Sequence, residues 1–297
     1  MGRFPVGGRA GSSRGDARSR WRDGARGATL RVVAALYDQL NGWGPDYEYW
    51  LKVAGTVSAH DVVDLGCGTG QLTVLLARAG HRVVGIDPDP RMLQVARARD
   101  GHEAVTWVQG YAADIATASA DLVTMTGHVS QLFLTDNDWA QALRELRRAL
   151  RPGGRVAFDM RNPHARDWEA WNPTDSRRSV SSDSGVAEVW HEVTALEGQL
   201  VTFETTTRYA DTGRVEVDTD VLRFRDGPAL HTSLVSAGFA VDQVHGNWDG
   251  TPATKWSREL IVTATQTERP PAERPGTGPA ARPGVPGSAA FARTLTA

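Results

Sequence analysis

Three glycines at every second position, Gly66, Gly68 and Gly70, stand directly after the short apolar run Val62-Val63-Asp64-Leu65. An apolar run of that length closed by glycines reads as a buried strand, and the helical pattern from Gln71 onward puts the glycines in the turn between the two. Glycine has no Cβ, so the backbone can turn tightly there and press against a ligand. In an open α/β sheet, ligands sit beyond the carboxyl ends of the strands, which is where such a loop lies. This one stretch therefore asks for a strand, a bare loop and a helix in succession, and for a sheet able to present that loop.

The pattern downstream agrees with that demand. Buried strands are predicted over residues 82–86, 105–108, 121–125 and 155–159, with helices over 71–79, 90–99 and 136–150 between them. The last helix is the clearest: Trp139, Leu143, Leu146 and Leu150 recur three and four apart while arginines take the other face. Pro152-Gly153-Gly154 breaks it. Strands alternating with helices at this spacing build βαβ units and a parallel sheet covered on both sides. From 186 to 224 the period changes to two, in Val201/Phe203/Thr205/Thr207/Tyr209 and in Val215/Val217/Thr219/Val221. That stretch predicts an antiparallel meander of about three strands. The helix-and-strand rhythm then resumes at 228–237, with last strands over 239–244 and 259–264.

The folded body is expected over residues 29–265, with the β-rich insert at about 164–226. Residues 1–28 are Arg-, Gly- and Ser-rich, and 266–297 repeat Pro, Gly, Ala and Arg. Segments of that kind bury too little apolar surface to offset the cost of ordering them, so both are expected as disordered tails. The whole chain of 297 residues carries a formal net charge of −2. A dedicated nucleic-acid binder would be strongly basic, so that class is disfavoured. The single cysteine, Cys67, excludes a disulfide framework and a multi-cysteine zinc site. No run approaches the roughly 20 apolar residues of a membrane span, and no apolar h-region follows the N-terminal arginines. The expectation is a cytoplasmic protein without membrane partners.

Asp87 closes the second strand about 20 residues after the loop, where a carboxylate can accept hydrogen bonds from both hydroxyls of a ribose. The pair reads as nucleoside recognition. A dinucleotide fingerprint needs a third glycine where this chain has Gln71, and no Gly-Lys-Ser/Thr phosphate loop is present. Asp64 just before the loop would face a bound pyrophosphate with like charge, whereas it suits a ligand carrying an ammonium group.

Asp64-Leu65-Gly66-Cys67-Gly68-Thr69-Gly70, with Gly85-Ile86-Asp87-Pro88, resembles the cofactor site of class I S-adenosylmethionine-dependent methyltransferases. Leu150-Arg151-Pro152-Gly153-Gly154 and Ala237-Gly238-Phe239 resemble later turns of that family, so the likeness runs from about Tyr37 to Ala264. The resemblance implies a Rossmann-like α/β fold: a seven-stranded, mostly parallel sheet with helices on both faces, one reversed strand near the end, and here an antiparallel β-insert after the fifth strand. It implies S-adenosyl-L-methionine as cofactor and a methyl transfer to an O or N of a small-molecule acceptor. By the same resemblance Gly66 and Gly68 would meet the methionyl part and Asp64 its ammonium. Asp87 would take the ribose, with Pro88 and Met92 beside the adenine. Gly110-Tyr111-Ala112 stands where the family often has Gly-Asp-Ala beside the adenine, with Tyr111 in place of the acid for its amino group, so either Asp114 takes that part or the backbone reads the ring. Thr126 would lie under the sulfonium, and Tyr37 would cap the cofactor from the aromatic-rich segment before the first strand.

His128 follows the fourth strand, where an imidazole could take a proton from an attacking hydroxyl or amine. Its bland alternative is a histidine that only bonds backbone. Gln131 is a candidate polar contact, and Arg161, after the fifth strand, could hold an anionic acceptor group or pair with Asp159. Trp168, Trp171 and Trp190 could line the acceptor pocket or form the core of the insert. His191, His231 and His245 show no ligand spacing with acids or cysteines, so no metal is expected. Two alternatives stand beside this reading. One is a nucleic-acid methyltransferase, although Thr126-Gly127-His128-Val129 stands where an Asn/Asp-Pro-Pro-Tyr/Phe block would be expected. The other is a non-catalytic cofactor-binding protein. The insert is the expected surface for a homodimer.

Overall fold

A computed structural model describes residues 34–182 and 185–267. The expected tail 1–28, and residues 268–297 of the tail expected over 266–297, lie outside the described residues; Gln266 closes the last strand instead. Two helices, α1 (Ala34–Leu40) and α2 (Pro45–Thr56), precede the sheet. The alternating part then runs β1 (Asp61–Leu65), α3 (Gln71–Arg78), β2 (Arg82–Asp87), α4 (Pro90–Ala96), β3 (Val105–Gln109), β4 (Ala120–Met125), α5 (Asp136–Ala149) and β5 (Leu150–Arg161). An insert of four strands follows, β6 (Arg178–Ser182), β7 (Gly185–Glu197), β8 (Leu200–Tyr209) and β9 (Val215–Arg223). The chain closes with α6 (Gly227–Ser236), β10 (Phe239–His245) and β11 (Glu259–Gln266).

Seven strands form one sheet in the order β10-β11-β5-β4-β1-β2-β3. The pairs β1·β2, β1·β4, β2·β3 and β4·β5 are parallel, while β11 is antiparallel to both neighbours. The expected mostly parallel sheet with one reversed strand is what the chain builds. Parallel strands need both faces covered, and two apolar clusters do this. One gathers Trp139, Leu143 and Leu146 of α5 against Val123, Met125, Phe158 and Met160. The other sets Trp50, Leu72 and Leu76 against Val62, Val83 and Leu122. Each such side chain, fully buried, contributes about 1.5–3 kcal/mol. Caps mark the helix starts that border the site: Asp89 accepts the Arg91 N–H, and Thr135 the Asp138 N–H.

Two details differ from the sequence reading. Pro152-Gly153-Gly154 does not precede β5 but bulges within it: Leu150 pairs with Ala120 and Arg155 with Leu122, leaving the residues between to loop out. The insert has four strands rather than about three. The extra one, Arg178-Ser-Val-Ser-Ser182, lacks apolar alternation, and its single buried valine, Val180, packs with Leu36, Val189 and Tyr209. A strand that owes its place to one residue and to pairing with β7 leaves no period to read. No helix among the described residues is long and apolar enough to cross a membrane.

Candidate active site

The glycine loop lies at the carboxyl edge, between β1 and α3. Gly66 and Gly68 both adopt left-handed φ, 76° and 54°. Their reasons differ. A Cβ on Gly66 would come within 2.5 Å of Val129 Cγ2, so this glycine is required by packing against the segment after β4. A Cβ on Gly68 would meet nothing nearer than Tyr37 Cε1, at 3.9 Å. The backbone is bare there and opens on free space, a cradle a ligand can press into.

Two carboxylates shape the loop from below. Asp87, at the end of β2, is only 7% exposed. Its Oδ2 accepts the Gly68 N–H at 2.9 Å and its Oδ1 the Asp89 N–H at 2.8 Å. Burial raises its pKa to about 6, against the lowering effect of those N–H bonds. Each oxygen keeps a further lone pair for a ligand hydroxyl. Asp64, 1% exposed, is held by side chains instead: Thr73 Oγ1 donates to Oδ2 at 2.7 Å and Thr124 Oγ1 to Oδ1 at 2.9 Å. These hydroxyls bind the carboxylate to α3 and β4, so Asp64 stiffens the base of the loop.

Helix α1 is clamped over the loop through a residue to which the sequence assigned no role. Asp38 accepts from Thr69 Oγ1 at 2.6 Å and Gln71 Nε2 at 2.9 Å, and pairs with Arg99. That contact sets Tyr37 above Gly68. Burial, with the charges of Asp87, Asp38 and Asp159 nearby, pushes the Tyr37 hydroxyl up to about 12. Pro88 follows Asp87 at the surface, and Met92 is buried in α4. Ala112 is buried after β3, and the Tyr111 N–H donates to Asp114 Oδ2 at 2.9 Å, so Asp114 is turned back on its own loop. Thr126 is half-buried at the end of β4.

The other side of the edge is built from β4, β5 and β11. His128 has φ 67°. Its N–H donates to Asp159 Oδ2 at 2.8 Å, and Ser130 Oγ donates to the Asp159 carbonyl at 2.6 Å. The His128 ring turns back on the same strands: Nε2 lies 3.0 Å from Glu259 Oε2 and 3.4 Å from Asp159 Oδ2. Burial, reinforced by the charge of Arg161, holds the imidazole well below its usual range. Burial also drives both carboxylates upward, and the Glu259 charge adds to the rise at Asp159. Nε2 is thus engaged by two acids, so the proton-accepting role expected of His128 would fall to its Nδ1.

Arg161 does not pair with Asp159 at ion-pair distance. Its Nη1 donates to Gln131 Oε1 at 3.1 Å, and its guanidinium stacks on Trp171 at 5.3 Å. Gln131 is fully buried with Nε2 unpartnered. Trp171 in turn packs on Phe203 at 4.8 Å, and Trp168 on Phe224 at 4.6 Å. Both therefore belong to the core of the insert, with Trp171 also forming a wall beside Arg161. Trp190 is stacked by Arg177 instead. Burial, with the charges of Arg178 and then Arg161, lowers the pKa of His191 of β7.

Sequence reasoning gave Asp159 only the part of a possible partner for Arg161, and Glu259 none. A lone carboxylate near the end of an otherwise apolar strand was a signal for the first. Glu259 carried none: β11 runs backwards, so its first residue, paired in register with Arg161, arrives at the edge where the parallel strands end.

A methyltransferase-domain family model matches residues 62–154. A protein of Geobacillus sp. (strain WCH70), named as a methyltransferase, is 30% identical over 172 residues, 54% of this chain and 68% of the relative. The chain belongs to the class I S-adenosylmethionine-dependent methyltransferases. A ubiquinone/menaquinone biosynthesis C-methyltransferase of Rubrivivax gelatinosus is 37% identical over 131 residues, 42% of this chain and 51% of that one. The chain thus spans about half to two thirds of the length of these two relatives. The structure of the CcbJ methyltransferase from Streptomyces caelestis shares the fold, with a TM-score of 0.65 at 20% identity over 80% of this chain and 96% of that one.

Proposed function

We propose that this chain binds S-adenosyl-L-methionine over Gly68 and transfers its methyl group to an oxygen or nitrogen of a small-molecule acceptor. The observation that carries the reading is the bare cradle at Gly68, with the Asp87 carboxylate tied to the same residue's N–H. A buried acid with lone pairs to spare beside an unobstructed backbone fits a ribose and the chain attached to it. Gly66 and Gly68 hold the methionyl part, and Asp64 steadies them from beneath. Asp87 takes the ribose hydroxyls, while Pro88, Met92, Tyr111 and Ala112 border the adenine. Tyr37 covers the cofactor, and Thr126 lies by its sulfur. Arg161, under the insert, takes the acceptor side, with Gln131 Oε1 holding its guanidinium in place.

The cofactor, when bound, supplies a methyl group that is already electrophilic. The chain contributes alignment and dryness: α1 and the insert exclude water, and the acceptor-side residues fix the attacking atom in line. The test is to incubate the protein with the cofactor and a panel of hydroxyl and amine acceptors. The expected outcome is S-adenosylhomocysteine released in equal amount with methylated acceptor. Calorimetry with no affinity for either cofactor form would remove the reading. Self-association through the insert is supported by Val215 and Val217, 53% and 54% exposed on the edge strand β9. Light scattering should give half the mass for Val217→Glu; equal masses would sink the dimer.

A further inference from the structure

The three side chains at the ends of β4, β5 and β11 form a group that the methyl-transfer reading leaves without a task. Nε2 of His128 and one carboxylate oxygen each of Asp159 and Glu259 all lie within 4.8 Å of one another. Two of the separations are 3.0 Å and 3.4 Å. Donor atoms about 2.1 Å from a single ion in tetrahedral array stand about 3.4 Å apart, so the spacing is that of a coordination shell. Among the described residues neither acid has an ion pair except with His128; Arg161, whose charge reaches both acids, donates to Gln131 instead, and Arg258 pairs with Asp167. Asp159 is 1% exposed; its Oδ2, which faces His128 Nε2, also accepts the His128 N–H, while its other oxygen, Oδ1, has no hydrogen-bond partner. A buried carboxylate oxygen left bare costs free energy that a bound cation would recover.

We infer that His128, Asp159 and Glu259 form a binding site for one divalent transition-metal ion. One imidazole nitrogen and two carboxylate oxygens, with no thiolate, suit zinc or manganese rather than a soft ion. In this site the ion takes the place of the proton between His128 and Glu259. Three protein ligands leave at least one position open. On the proposed function above, that position faces the acceptor side, and an acceptor oxygen is the ligand that fits it.

The experiment uses the full chain, freed of metal with a chelator and dialysed, and titrated calorimetrically with zinc chloride. Affinity for S-adenosylhomocysteine is measured first on the same zinc-free sample. The expected result is one zinc per chain, weakened at least tenfold in Glu259→Gln and in His128→Gln. Both variants should keep the parent's circular dichroism and its affinity for S-adenosylhomocysteine. Asp159→Asn, read the same way, guards against a misfolded variant. No zinc binding by the parent, or binding that Glu259→Gln leaves within twofold, overturns the site. A parent that binds zinc but not S-adenosylhomocysteine would leave the metal site standing and remove the function proposed above.

Discussion

The two halves of the sheet's carboxyl edge are built by different means. On the β1–β3 side, the glycine loop and Asp87 lie within one short stretch of chain and contact each other directly. On the β4–β5–β11 side, His128 meets Asp159 across 31 residues and Glu259 across 131. The first half is a local motif that one βαβ unit can position. The second depends on the whole sheet closing, on the reversed last strand and on the insert above it. The lesson is that a glycine loop and its carboxylate can be positioned by contiguous sequence, while the cluster around His128 is assembled from distant strands.

Four measurements can break or sharpen that contrast. The largest effect is expected where the halves touch. Gly66→Ala forces a side chain into left-handed backbone and a Cβ into Val129, so it should destabilise the fold by about 2–5 kcal/mol. Thermal unfolding measures this, and a melting temperature within a degree of the parent's would show that the loop and the β4 segment are not packed as described. Asp87→Ala should weaken S-adenosylhomocysteine binding by about 1.5–3 kcal/mol, the loss of hydrogen bonds to a charged acceptor. Unchanged affinity would mean the ribose is held elsewhere.

The third test is pH. The pKa of Asp87 is raised to about 6 from an ordinary 3.8, so the native state holds this proton more tightly than the unfolded chain. Its contribution to stability therefore falls as pH rises from about 4 through 6 and is recovered on acidification. Cofactor binding needs the ionised acid and should move the opposite way, dropping as pH goes below about 6. Calorimetry between pH 7.5 and 5 checks it, and Asp87→Asn should flatten the profile. The smallest effect probes independence: Arg161→Gln should leave S-adenosylhomocysteine affinity within about twofold, because additivity holds for separate sites. A loss as large as that of Asp87→Ala would join the halves into one site.

Much of the fold was legible. Strand and helix alternation up to β5 comes from periodicity that each element carries in its own residues, as in the Trp139/Leu143/Leu146 stripe of α5. The insert was visible from its alternation, except β6, whose polar residues gain their place by pairing. Around the loop, Gly66, Gly68, Asp64 and Asp87 could be picked out from the sequence, but not the Thr73 and Thr124 hydroxyls that hold Asp64. The partners that finish it could not. Asp38 sits in a helix with no motif, and its worth appears only when Thr69, Gln71 and Arg99 close on it. His128 could be picked out as a residue near the site, but its two acidic neighbours and their effect on its proton could not.

What the sequence determined by itself is the sheet's parallel core and the bare turn after β1, because hydrophobic period and the lack of a Cβ act through adjacent residues. What only the tertiary structure decided is the company each charged group keeps. A carboxylate's environment depends on which strand end arrives beside it, and the reversal of β11 that carries Glu259 to His128 is a property of the closed sheet.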